Sequence, residues 1–195
     1  ARLDALCSLA AASDALHCAG EGAACTPRIL GSSSSSAPRL AARGLVHPCV
    51  ALALASNGLS FVPNDVSLGG SDTSDERSML LTGPNMGGKS TALRMVAVAV
   101  VMAQLGMDVA ASDMELTPFE SLFVRMGASD DIAGGRSTFL VELAETASAL
   151  RGVSHRRSLA ILDELGRGTS TSDGLAIAHA VLRHLASIPG CISLF

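Results

Sequence analysis

The stretch Met79 to Thr91, MLLTGPNMGGKST, constrains the fold of this chain more than any other. Gly83, Gly88, Lys89 and Ser90 satisfy G-x-x-x-x-G-K-S, after an apolar run of strand type and before a helix former. A turn that wraps a phosphate points several backbone N–H groups at one centre, which favours residues without Cβ at Gly83, Gly87 and Gly88. Lys89 then supplies a point charge to the outer phosphates. The Ser90 hydroxyl can complete a Mg²⁺ shell at the N-terminus of the helix that follows. A glycine-rich turn without a ligand is the bland alternative.

About seventy residues further on, the apolar run Leu159-Ala160-Ile161-Leu162 ends in two acids, Asp163 and Glu164. In a nucleoside triphosphatase such a pair divides the labour: Asp163 holds Mg²⁺ through water, and Glu164 orients or deprotonates the attacking water. The alternative is a strand that simply ends at two solvated acids. The next stretch, Gly166 to Gly174 (GRGTSTSDG), opens a helix near Asp173 and reads equally as a capping loop or as an ordinary turn. Gly134 to Phe139 (GGRSTF) puts small residues and a hydroxyl at another helix start, a place that suits an anion of unspecified kind.

Around these motifs the pattern predicts strands alternating with helices, hence a mainly parallel sheet with helical cover. Residues 1–20 read as the end of a helical segment, with Leu3, Leu6, Leu9 and Leu16 on one face. Residues 21–43, with the serine run Ser32 to Ser36, read as a flexible linker or insertion. The remaining domain, 44–195, begins with an edge strand from Leu45 to Leu54 interrupted by Pro48. A second short strand follows at Phe61-Val62-Pro63, then a polar loop from Gly69 to Arg77 and the strand Met79 to Thr82. Next come a helix from Lys89 to about Leu105, apolar nearly all round, and a strand from Ser121 to Met126. A helix with Phe139, Leu143, Ala147 and Leu150 on one stripe exposes Glu142 and Glu145 on other faces. In a last helix Leu175, Ala178, Leu182 and Leu185 face one way.

Composition narrows the partners. Residues of hydrophobic type make up 48% of the 195, so surfaces that a partner or further chain covers are expected. The most apolar stretch, Met95 to Ala103, falls far short of the roughly 20 residues a bilayer span needs. With a formal charge of −4, no Trp and no Tyr, this segment alone is a poor direct binder of DNA. The five cysteines form no C-x-x-C pair and read as reduced thiols. His17, His155, His179 and His184 stand outside any motif and read as surface or packing residues. The first residue is not Met and the last five are apolar, so the chain reads as a piece of a longer protein.

Taken together, FVPND, TGPNMGGKST, RMGASDDIAGGRSTF and LDELGRGTSTSDG resemble the ATPase domain of the MutS mismatch-repair family, over residues 45 to 195. Residues 1 to 18 are similar to the helical lever that precedes that domain. LTPFESLF, GASDDI and FLVELAETAS are most similar to the eukaryotic homologue-six branch. The resemblance implies an α/β P-loop NTPase of ABC type, in which two such domains sandwich two ATP molecules across a dimer. By it, Phe61 offers its ring to adenine. The loop from Gly83 through Pro84, Asn85, Met86, Gly87, Gly88, Lys89, Ser90 and Thr91 holds phosphates, Ser90 and Asp163 serve Mg²⁺, and Glu164 and Lys89 are catalytic. Ser137 reaches the γ-phosphate on a second MutS-family subunit, giving a heterodimer.

It also implies mismatched double-stranded DNA as a partner through parts outside this chain, no membrane, and a nuclear location. Departures are Val46 in place of a frequent Arg, Ser172 in place of a frequent aromatic, and a missing proline in Asp108 to Ala111. A switch histidine of the family would lie beyond Phe195. Two rival functions stand beside this reading. One is a transporter or chromosome-organising ATPase, which would carry an L-S-G-G-Q-like signature not present here; the other is a catalytically silent dimerisation module.

Overall fold

The computed structural model describes residues 1–18, 23–31, 37–70, 76–127, 138–153 and 157–195, except for the side chains of Cys18 and Thr138. In chain order the elements are α1 (Arg2–Cys18), β1 (Arg28–Ile29), β2 (Arg39–Leu45), α2 (Pro48–Ala55), β3 (Asn64–Gly69), β4 (Ser78–Met79) and α3 (Lys89–Gln104). They continue with β5 (Asp113–Leu116), β6 (Ser121–Arg125), α4 (Thr138–Gly152), β7 (Ser158–Leu162), α5 (Thr171–Ala186) and β8 (Cys191–Leu194). Among the described residues these strands form two four-stranded sheets. The sheet β4-β8-β7-β6 is parallel throughout. In β1-β5-β2-β3 the central strand β2 runs antiparallel to both neighbours, and only β1 and β5 are parallel. A mainly parallel sheet therefore describes one of the two layers.

Strand β7 explains why the parallel layer forms. All of its residues are buried, because β8 and β6 flank it and helices cover both faces. Successive side chains point to opposite faces. Leu159 and Ile161 accordingly join the larger core with α3, while Ala160 and Leu162 join a second core with Val181 and Leu185 of α5. Helix α3 lies in the larger core, with Leu93, Met95, Val96, Val100 and Ala103 beside Leu40 and Val66 of one sheet and Ile192 and Leu194 of the other. Its apolar circumference is thus accounted for by packing on two sheets.

Several local expectations need correction. The linker assigned to 21–43 contains β1 and the start of β2, whose Leu40, Ala42 and Leu45 point into the core. A register shift between Ala42 and Leu45 keeps Leu45 facing inward. The edge strand assigned to Leu45–Leu54 is instead the end of β2 followed by α2. There Pro48 occupies the first helical turn, where its missing N–H costs nothing, and His47 caps the helix, its Nδ1 accepting from the Val50 N–H at 3.5 Å. The strand expected at Phe61-Val62-Pro63 begins at Asn64, and β4 stops at Met79 rather than Thr82.

In α5 the inward residues are Gly174, Val181 and Leu185, whereas Leu175 is exposed. Glu142 is buried, not exposed as expected, while Glu145 does face solvent. Helix α1 forms as predicted and is tied down near its C-terminus, where Ser13 Oγ accepts from the Asp108 N–H at 3.0 Å and His17 meets Asp108 at 2.9 Å. Its leucine stripe is not buried at the start, since Leu3 and Leu6 are exposed. No helix among the described residues is long and apolar enough to cross a membrane.

Candidate functional site

The glycine-rich turn between β4 and α3 leaves the parallel sheet at the C-terminal ends of its strands. The pairing Leu81 N–H to Phe195 O at 2.7 Å and Phe195 N–H to Met79 O at 2.9 Å carries the β4–β8 ladder to the edge of the turn. Gly88 at φ 85 adopts the left-handed conformation that a residue without Cβ takes freely, and it caps the N-terminus of α3. Met86 shares that conformation at φ 64 and is fully exposed. Lys89 folds back over the turn, its Nζ donating to Gly83 O at 2.7 Å and Pro84 O at 2.8 Å. Gly87 N–H donates to Pro84 O at 3.1 Å. The ammonium is therefore held at the centre of the loop.

The acid pair comes off the same edge. Met79 pairs with Leu194, and Leu194 pairs with Ile161, so β4 and β7 are two strand positions apart with β8 between them. At about 4.8 Å per position, the two corners stand on the order of 10 Å apart at one end of one sheet. Asp163 is 7% exposed, and among the described residues no hydrogen bond or ion pair reaches its carboxylate. A carboxylate so placed is stabilised by a cation with oxygen preference, and the half-buried Ser90 hydroxyl, which has no hydrogen bond among the described residues, is a second hard donor. The donor set fits Mg²⁺ in chemical type. Among the described residues no group of three His, Cys, Asp or Glu forms a metal cage.

Asn85, Met86, Gly88, Lys89, Ser90 and Thr91 line a cleft of about 320 Å³ together with Glu164 and Arg167. That volume lies within the roughly 300–1,000 Å³ common for small-ligand clefts. Glu164 sits at φ 51, a conformation uncommon outside glycine, and pairs with the Arg167 guanidinium. An ammonium, exposed amides and a helix N-terminus on one wall, with an acid on the other, suit a multiply charged anion that travels with a cation.

The structure thus brings Asn85, Met86, Gly88, Lys89, Ser90, Thr91 and Glu164 into one cleft; Gly83, Pro84, Gly87 and Asp163 do not line it, although Lys89 bonds the Gly83 and Pro84 carbonyls and Asp163 follows β7 at the same end of the sheet. Phe61 does not line the cleft; it is half-buried and packed against the larger core. Ser137 lies outside the described residues, as do the serine run and His155. Ser170 caps α5, its Oγ accepting from the Asp173 N–H at 3.3 Å and donating to Asp173 Oδ2 at 2.7 Å, so the stretch before the helix is a capping loop. Sequence reasoning missed Arg167, Arg125 and Glu142. Only Arg167 carried a signal, its place three residues after Glu164 in a glycine-flanked turn.

Comparison with known proteins gives a consistent picture. The family described as MutS domain V matches residues 79–195. The chain is 51% identical over 195 residues, all of its length, to the DNA mismatch repair protein MSH6 of Arabidopsis thaliana, of which it covers 14%. It is 46% identical over 180 residues, 90% of its length, to the DNA mismatch repair protein Msh6 of Homo sapiens, covering 13% of that protein. With the DNA mismatch repair protein MutS of Sorangium cellulosum the identity is 53% over 156 residues, 80% of this chain and 16% of that one. The chain spans about 14% of the length of the MSH6 relative.

Proposed function

The chain belongs to the MutS family of DNA mismatch repair proteins, and from that premise we propose that it is the ATP-binding and ATP-hydrolysing part of such a protein. The domain is a P-loop NTPase of ABC type. Gly83 to Thr91 bind the phosphates, with Lys89 countering the charge that builds on the outer ones. Ser90 and Asp163 would hold Mg²⁺, which when bound would supply positive charge against that developing on the phosphates. Glu164 accepts the proton of the attacking water or aligns that water for in-line attack. Before it can do so Glu164 must leave Arg167, its partner in this structure. Phe61 stacks on adenine only if it turns out of the core it now packs against.

Phosphoryl transfer asks little covalent chemistry of a protein, so position and charge carry the rate. Ser137 completes the site of a second MutS-family subunit, and the full-length protein works as a heterodimer on mismatched DNA in the nucleus. Nucleotide state then shifts the dimer between recognising and signalling conformations, which requires different nucleotide affinity in the two. The nuclear assignment follows the eukaryotic relatives, although bacterial MutS proteins are similar as well.

The single observation that supports the reading is the cleft that unites Asn85, Met86 and Gly88 to Thr91 with Glu164, on the sheet edge where β7 delivers Asp163. The experiment is Glu164→Gln in the full-length dimer. ATP should bind with near-native affinity and persist, because the phosphate and metal contacts remain while the water loses its base. Single-turnover hydrolysis at the native rate would refute the assignment.

A further inference from the structure

Helix α4 grips the turn that carries the acid pair from behind. Glu142, one helical turn into α4, is 3% exposed and accepts the backbone N–H of Gly166. Its other oxygen lies 3.5 Å from Nη2 of Arg125, itself 7% exposed. Arg125 in turn donates from Nη1 to the Asp163 carbonyl at 2.9 Å, and its own carbonyl accepts the Asp163 N–H at 2.9 Å. Asp163 is thus fixed through its backbone by Arg125, and the N–H two residues beyond Glu164 is fixed by Glu142.

The turn has no slack. Gly166 has φ 87, and a Cβ there would meet the Gly174 carbonyl oxygen at 2.5 Å. A Cβ on Gly168 would lie 3.1 Å from Phe139 Cα and 3.4 Å from Glu142 Oε2. Neither Arg125 nor Glu142 lines the cleft. A carboxylate buried to this degree opposes folding unless it is bonded, so its position calls for a role that a solvated glutamate would not fill.

We propose that Glu142 is a positioning residue for Asp163 and Glu164, an inference that rests on the ATPase reading above. Glu164 is held at φ 51, where a side-chain-bearing residue stays only when its surroundings insist. The Gly166 N–H to Glu142 bond closes that turn. Without it Glu164 relaxes toward ordinary φ and its carboxylate swings away from the cleft, while Lys89 and the glycine-rich turn are untouched.

The test uses the full-length dimer with Glu142→Ala, Glu142→Gln or Glu142→Asp. It reads the affinity for a fluorescent ATP analogue in EDTA and in Mg²⁺, and the single-turnover rate of hydrolysis. Gln keeps an oxygen for the Gly166 N–H; Asp keeps the charge near Arg125 but is one methylene too short. The expected rate falls about tenfold or more for Ala and Asp, the worth of one hydrogen bond to a charged group, and stays within about threefold of native for Gln. The gain in affinity on adding Mg²⁺ follows the same order, and affinity in EDTA is unchanged.

Asp outperforming Gln would make charge balance with Arg125 the role and overturn the proposal. So would native hydrolysis by Ala, or a loss of affinity in EDTA that parallels the loss of rate. If Ala does not fold, the order of Gln and Asp decides alone. A native dimer that binds no ATP in either buffer overturns the ATPase reading itself. Native binding and turnover with the wrong order of variants overturns only the positioning role.

Discussion

Replacing Lys89 by Ala tests the core of the functional reading, and its effect can be sized from the contacts the lysine makes. Its Nζ donates at 2.7 and 2.8 Å to the carbonyls of Gly83 and Pro84. Under the proposed function, ATP binding exchanges those bonds for bonds to phosphate oxygens. Bonds between charged partners are worth about 1.5–3 kcal/mol each and those released about 1 kcal/mol each, so for two bonds the net loss on truncation is about 1–4 kcal/mol. That corresponds to roughly 5- to 900-fold weaker ATP binding.

The same substitution removes both tethers in the nucleotide-free state, where water replaces them. Stability should fall by no more than about 2 kcal/mol, or roughly 4–8 °C in melting temperature for a chain of this size. Titration with a fluorescent ATP analogue, alongside a thermal melt without nucleotide, separates the two effects. Affinity changed less than about threefold, with the melt unaltered, would show that Lys89 does not meet the phosphates and would refute the reasoning.

Three further outcomes test the fold around the site. Ile161→Ala truncates a 0% exposed side chain in the strand that delivers Asp163, and should destabilise by about 2–5 kcal/mol in a urea melt. Glu115 accepts hydrogen bonds from Arg39 and Arg28, which hold its carboxyl below the usual glutamate value. With the folded pKa depressed, that stabilisation is present above the unfolded pKa and is lost as pH falls through the folded one. Glu115→Gln should therefore lower stability by about 1 kcal/mol at neutral pH, and the difference from native should close on acidification below about pH 4. Burial pushes the Cys191 thiol up to about 11, whereas Cys7 and Cys49 are exposed. At pH 8 iodoacetamide should modify Cys7 and Cys49 but spare Cys191 until the chain is denatured, as read by mass spectrometry.

What the sequence determined by itself was local. The turn at Gly83 to Ser90, helix α3, the buried strand ending at Asp163 and the capped start of α5 are each written in a window of a few residues. The hydrogen bonds of the turn, the helix and the cap close within that window, and the strand shows itself by its unbroken apolar run although its ladder partners β6 and β8 lie elsewhere. Membership of a mismatch-repair family was legible for the same reason, since the motifs are short and their order is rare. Other features were not written locally. Residues 39–45 looked like part of a linker because their partners, β3 and β5, lie elsewhere in the chain. His47-Pro48 looked like a broken strand until the cap was visible. Glu142 sits at a helical position that periodicity assigns to solvent, yet it is buried because Gly166 and Arg125, from two other elements, meet it there. Arg167 paired with Glu164 in the wall of the cleft is likewise a product of the turn's shape. Tertiary structure decided which charges are sealed and which acid is held in place, because burial and pairing depend on segments that no local window contains.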